Sequence, residues 1–283
     1  MRIALSVETT ADLSKELLKK YNLYLIQFTV LLGETTYLDG EITSAEIFDF
    51  VDKTNILPKT SAINVYTYQE HFKKILADGY DEIIHITIGS GFSGSHNNAI
   101  VAVEEMKNVH IVDSMNLSSG IGLLALYARE LIDNGLDVET IVKKVNARAS
   151  QVKTSFVVHT LEYLHKGGRC SGIARVSAAL LRIKPQIVVA DNKMVPAKKY
   201  YGRRVQVIEQ YSEDVVAEMV KPDLKYAFIT HTLATPEMIK AATDALLERG
   251  FKEVYETNAG ATITSHCGPL TLGILYIDGD PIE

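Results

Sequence analysis

Residues 82–99, EIIHITIGSGFSGSHNNA, constrain the fold more than any other stretch of the chain. Ile83 to Ile88 form a short apolar run rich in β-branched residues, interrupted by His85 and bounded by Gly89, which reads as a buried strand. Gly89 to Ser95 contain only Gly and Ser around Phe92, and a helical pattern then opens through Ala99, Val101 and Met106. A strand that feeds a helix through such a loop leaves first-turn N–H groups unpaired above the sheet. The positive end of the helix dipole adds to their field. The loop is suited to hold an anion.

Three readings of the loop compete. Gly89, Gly91 and Gly94 fit the dinucleotide pattern G-x-G-x-x-G, and Asp113 at the end of the next strand stands where a ribose-binding acid would. That reading makes the chain a nicotinamide- or flavin-dependent oxidoreductase. Alternatively Ser90, Ser93 and Ser95 line a cradle for a carboxylate or phosphate. The third reading is a tight βα turn that needs small residues and an N-cap Ser.

The surrounding chain alternates strand and helix. Residues 2–7 predict a first strand, Asp12 an N-cap for a helix through Tyr21, and Tyr24 to Leu32 a second strand. Thr43 to Glu46 and Thr67 to Glu70 read as capping boxes, with a polar loop from Lys59 to Asn64 between them. A strand at 109–112, a helix from Ser118 to Gly135 and one capped by Asp137 follow. The order predicts an α/β fold over residues 1–154, a mostly parallel sheet flanked by helices. Ligands of such sheets sit beyond the carboxyl ends of the strands, so Glu8, Thr60, Ser61, Ser93 and Ser114 are expected on one rim.

The pattern changes near residues 150–158. A strand at 155–158, a short helix at 160–165, a turn at Lys166-Gly167-Gly168-Arg169, a helix at 171–181 and a hairpin around Asp191-Asn192-Lys193 predict a C-terminal α+β domain over 155–283. A helix from Arg203 to Val220, a strand at 226–230, a helix beginning at Thr235-Pro236 and two last strands complete it. The ligand is expected between the two domains.

A net charge of −6 argues against a general nucleic-acid binder. No apolar run reaches the ~18 residues that predict a membrane span, and MRIALSVETT has too short an apolar segment for a signal peptide, so no stable membrane insertion is expected. Cys170 and Cys267 supply neither a disulfide framework nor a CxxC site. A reduced, cytoplasmic protein is expected.

Among the 8 histidines, His266 is the best placed for chemistry, in the run GATITSHCGP (260–269), read as a loop between two strands. The others lack metal-ligand spacing, so no metal is expected. Serine hydrolysis needs more than the chain offers: Ser93 lies outside G-x-S-x-G, and a Ser93–His266 pair has no evident orienting acid. Gly167-Gly168 free the backbone to present the Arg169 guanidinium to an anion, whereas Arg203 and Arg204 read as surface or docking residues.

Thr60-Ser61, GSGFSGSHNNA (89–99), VDSMNLSSGIG (112–122), TLEYLHKGGRCS (160–171) and GATITSHCGP (260–269) together resemble the successive motifs of the DegV family. The resemblance spans nearly the whole chain, and TLEYLHKGGR is its most specific piece. It implies a protein, not itself an enzyme and without a cofactor, that binds one long-chain fatty acid and presents its carboxylate to a partner fatty-acid kinase for acyl-phosphate formation. It also implies carboxylate contacts at Thr60 or Ser61, Ser93, Gly94 and His266, with Arg169 nearby, and kinase contacts at Arg203 and Arg204. The chain departs from the family pattern at Glu8, usually Asp, in Thr60-Ser61-Ala62-Ile63-Asn64, where Ile63 stands for the Pro of TSxPS, at Phe92 and at Leu270.

Overall fold

The computed structural model describes residues 2–170 and 183–282; the helix read over 171–181 lies outside them. The first half runs β1 (Ile3–Glu8), α1 (Lys15–Lys20), β2 (Leu23–Ile26), β3 (Thr29–Leu32), β4 (Thr35–Leu38), α2 (Ser44–Thr54), β5 (Lys59–Ser61), α3 (Val65–Ala77), β6 (Glu82–Thr87), α4 (Ser95–Ala102), β7 (Val109–Asp113), α5 (Ser119–Asp133) and α6 (Val138–Ala149). Strands β2-β1-β6-β7 pair in that order, every neighbour parallel. IALSVE of β1 is buried throughout and EIIHIT of β6 from its second residue on. Successive side chains point to opposite faces, so both faces of this sheet are covered, and its strands read as continuous apolar runs.

The second half runs β8 (Val152–Val157), α7 (Glu162–Gly167), β9 (Ile183–Ala190), β10 (Lys193–Tyr201), α8 (Arg204–Glu218), β11 (Pro222–His231), α9 (Pro236–Arg249), β12 (Glu253–Asn258), α10 (Ala261–Cys267) and β13 (Leu272–Asp278). It forms a mixed sheet in the order β10-β9-β8-β13-β11-β12, antiparallel except at β11/β12. Asp191 and Asn192, both at positive φ, turn the β9–β10 hairpin as its two-residue loop requires. Helix α5 packs against β1 and β6 of the first sheet and β8, β11 and β13 of the second. Gly120 to Leu126 are therefore buried on every side, as a helix with apolar residues all round demands. One apolar cluster continues from Leu5 and Ile84 through Leu124 to Phe156 and Phe228.

Several local expectations are revised. The run from Tyr24 to Leu32 is broken: β2 joins the parallel sheet, while β3 pairs with β4 and β5 in a separate three-stranded antiparallel sheet. Lys59 to Ser61 is thus strand rather than loop. Asp12 ends a 3₁₀ turn at φ 50° and turns away from α1, whose cap is Ser14. Helix α3 begins at Val65, capped by the Asn64 side chain, so Thr67 lies inside it; the Thr43/Glu46 capping box forms as read. The GATITSHCGP run is helical from Ala261 to Cys267. Two of its hydroxyl residues bond backward to main-chain carbonyls, Ser265 to Ala261 O and Thr264 to Ala259 O.

Candidate functional site

The Gly/Ser loop between β6 and α4 is held from below by Glu8. Its Oε2 accepts from Ile88 N at 2.7 Å and Thr10 Oγ1 at 3.0 Å, and its Oε1 from Ser95 Oγ at 3.1 Å and from the Tyr68 hydroxyl. Burial pushes this carboxyl up to about 7, against the lowering effect of those donors. Glu8 is fully buried and so belongs to the loop's foundation, not to its rim. Ser114, also buried, bonds within its own turn.

The loop's glycines answer to the β9–β10 turn. A Cβ on Gly91 would stand 2.0 Å from the Asn192 carbonyl oxygen, and one on Gly89 2.4 Å from Asn192 Oδ1. Asn192 Nδ2 donates to Ser90 Oγ at 2.9 Å. Asp113 Oδ1 accepts from Ser90 N at 3.1 Å and Met115 N at 2.8 Å. The close approach that a pyrophosphate would need is taken by the hairpin, and the expected ribose acid is spent on the turn. This corrects the dinucleotide reading.

What stays open is the helix side of the loop. Ser93 Oγ accepts from Ser95 N at 3.1 Å, which leaves its hydroxyl proton free to donate. A Cβ on Gly94 would meet nothing within 4 Å among the described residues. Both residues line a cavity of about 620 Å³, counted to its open mouth, together with Thr60, Arg169, Thr262 and His266. Phe28, Ile88, Phe92 and Met194 make its apolar wall. Of the residues singled out in the sequence, Thr60, Ser93, Gly94, Arg169 and His266 come together here. Ser61, next along β5, is exposed and stays outside, because successive strand residues face opposite ways.

His266 stands in the last turn of α10, with Nε2 2.8 Å from Thr60 Oγ1. Burial first, then the nearby Arg169 guanidinium, pushes its pKa down to about 4, so the imidazole is neutral at neutral pH. Among the described residues Nδ1 has no hydrogen-bond partner, and neither does the buried Thr262 Oγ1 one turn earlier. Two unpaired polar atoms beside one cavity are unusual in a folded protein and suit a polar ligand group. Gly167 makes room for the imidazole: a Cβ there would stand 2.6 Å from His266 Nδ1. Arg169 is exposed at the mouth, with Nη1 donating to Gly167 O at 2.6 Å.

A second, narrow space of about 330 Å³, counted with the solvent open to it, adjoins the first, and Leu117, Ile263 and Cys267 line both. Its further walls come from β8, β11 and β13. The hydroxyls there are bonded to other groups: Ser118 to Asp12, Thr154 to Asn116, Ser155 to Tyr211, Thr230 to Ser119 and Thr257, and Thr232 to Gly268 O. They have no unmet demand on whatever fills the chamber, which is apolar in effect despite its polar roll of residues. Sequence reasoning had no means of finding this chamber, nor the part of Thr262 and Leu117 in the first.

Arg203 and Arg204 lie away from the cavity, exposed at the start of α8. Arg204 Nη2 comes within 3.5 Å of His159 Nε2, and Lys184 Nζ donates to His159 O at 3.1 Å. Cys170 and Cys267 are both free thiols. Among the described residues, no three His, Cys, Asp or Glu side chains are grouped to hold a metal, and no helix is long and apolar enough to cross a membrane.

Comparison with known proteins returns one family. The model of the DegV family, described as uncharacterised proteins, matches residues 2–279. A fatty acid-binding protein of Thermotoga maritima is 28% identical over 284 residues, covering 96% of each chain. Among solved structures, a DegV family protein from Thermus thermophilus described for its fatty acid binding superposes with a TM-score of 0.88 at 26% identity, covering 99% of this chain and 100% of that one. The fatty acid-binding protein DegV of Bacillus subtilis does so with a TM-score of 0.83 at 27% identity and the same coverage.

Proposed function

The chain belongs to the DegV family, and on that premise we propose that it is a cytoplasmic, non-catalytic carrier of one long-chain fatty acid. The observation that carries the reading is the pairing of two adjoining cavities, one ringed by donors and one apolar in effect, across Leu117, Ile263 and Cys267. A carboxylate leaving water costs several kcal/mol unless donors meet it. Ser93, Thr60, Thr262, His266 and the first amides of α4 are the donors at hand, with Arg169 at the mouth. The tail would run past Leu117 into the chamber between the sheets, where roughly fifteen methylenes at about 0.8 kcal/mol each contribute about 12 kcal/mol gross.

The head group at the open mouth further suits presentation to a second protein. We take that partner to be a fatty-acid kinase that phosphorylates the carboxylate, with Arg203 and Arg204 on the surface it meets. Supporting this, neither arginine has an ion-pair partner among the described residues. Mass spectrometry of an organic extract of the purified protein tests the carrier reading, with one fatty acid per chain expected. No stoichiometric lipid, even after incubation with oleate or palmitate, would overturn it.

A further inference from the structure

Helix α10 has only seven residues and no cap of its own, since its N-cap is Gly260. Its first amides are met instead by two carboxylates from the other half of the chain. Gly260 N donates to Asp12 Oδ1 at 2.7 Å, Ala261 N to Asp39 Oδ1 at 2.7 Å and Thr262 N to Asp39 Oδ2 at 3.0 Å. Asp12 and Asp39 are 5% and 2% exposed. Neither has a Lys or Arg ion-pair partner among the described residues. Two carboxylates buried without a cation are an expensive way to cap one short helix, where a single Ser or Asp at the N-cap is the usual device.

The two acids do more than satisfy amides, because each is fixed in its turn. Asp12 sits at positive φ after the 3₁₀ turn and also accepts from Ser118 Oγ at 2.6 Å. Asp39 N donates to Phe28 O at 2.8 Å, and Gln27 Nε2 to Asp39 O at 2.9 Å. Further along α10, Ser44 Oγ and Thr264 Oγ1 lie 2.7 Å apart, and at its end His266 meets Thr60. Every one of these partners lies between residues 12 and 118, whereas the chain enters and leaves α10 from the second sheet. A helix of seven residues spans about 10 Å and bends little, so fixing its first turn fixes its last.

We propose that Asp39 and Asp12 are positioning residues for the head-group site, clasping the start of α10 so that His266 is held against Thr60 at its end. The inference rests on the fatty-acid reading only for what His266 is positioned to meet. Thr60, Gly167 and Arg169 surround that ring, and of these only Arg169 is charged.

The test follows the His266 ring by ¹H–¹³C NMR in wild type and in Asp39→Asn, which keeps one acceptor but turns an NH₂ toward the second amide. Release of the clasp should lift the His266 titration midpoint from about 4 toward its ordinary 6.5, by at least about one pH unit. The carboxyl resonance of bound [1-¹³C]palmitate should shift with it, while circular dichroism stays native. A midpoint and ring shifts identical to wild type, with only a lower melting temperature, would overturn the proposal. Should Asp39→Asn not fold, Asp12→Asn decides by the same reading. If His266 moves but wild type takes up no palmitate, the clasp stands and the fatty-acid reading falls.

Discussion

His266 Nε2 and Thr60 Oγ1 lie 2.8 Å apart, although 206 residues separate them in the chain. The contact ties α10, which belongs by connection to the second sheet, to the short strand β5 of the three-stranded one. It places a neutral imidazole in the wall of the cavity, one turn from Thr262, where Ser93 also lines it.

If Ser93 and His266 hold a carboxylate, each supplies a hydrogen bond to a charged group, worth about 1.5–3 kcal/mol. Ser93→Ala or His266→Ala should therefore weaken fatty-acid binding roughly tenfold to a hundredfold and not abolish it, given about 12 kcal/mol gross from the tail. Acyl-phosphate formation with a partner kinase should fall further than binding does, because the head group must point at the attacking site. Wild-type affinity and rate in both variants would place the head group elsewhere.

The shared residues Leu117, Ile263 and Cys267 make a neck between the two cavities. Ile263→Phe adds bulk where packing is already close, and should narrow the passage. Competition between fatty acids of different length should then shift toward shorter chains. An unchanged preference would mean the tail takes another path.

Glu8 is raised from 4.5 to about 7 in the folded chain. Between those values the native state holds a proton that the unfolded state has released, so stability falls as pH rises through this window. The contribution is on the order of 3 kcal/mol. His71 and His266, both lowered to about 4, act with the opposite sign and lose stability as pH falls from 6.5. Glu8→Gln removes the first effect alone. Urea midpoints for the variant should rise more steeply from pH 4.5 to 7 than those of wild type, and parallel curves would show that Glu8 is ionised in the fold.

Arg203 and Arg204 are exposed and line neither cavity, so reversing both to Glu should leave bound lipid unchanged. Kinase-coupled turnover should slow and lose much of its salt dependence, as surface charges act mainly on association rates. Loss of lipid from this variant would show that the arginines act on the ligand instead.

Burial pushes the Cys267 thiol up to about 12 and Cys170 to about 11. Neither should be thiolate at pH 8, so both should resist alkylating reagents until the protein is denatured. Fast native labelling of Cys267 would mean that the neck opens readily.

The parallel sheet, the strand–loop–helix around the Gly/Ser loop at 89–95 and the presence of a second, mixed sheet were all legible in the sequence. They depend on local spacing: apolar runs of strand length, small residues in a loop, capping patterns such as Thr43/Glu46. Thr60, Ser93, Gly94, Arg169 and His266 line one cavity, but of these only Ser93 and Gly94 follow a strand of the parallel sheet, where ligands of such sheets gather. Ser61 went astray because Lys59 to Ser61 forms a strand, and strand pairing is settled by partners distant in sequence. The helix at 261–267 went unread because its stabilising acceptors, Asp12 and Asp39, lie more than two hundred residues upstream. Gly89 and Gly91 carried a dinucleotide pattern that only the β9–β10 turn, packed on top of them, could refute. What a residue is and what lies within a few positions of it are local facts, and they decide where strands, turns and most caps form. Which group meets a buried carboxylate, and which glycine is needed for another segment's approach, depends on contacts that exist only once distant segments have packed together.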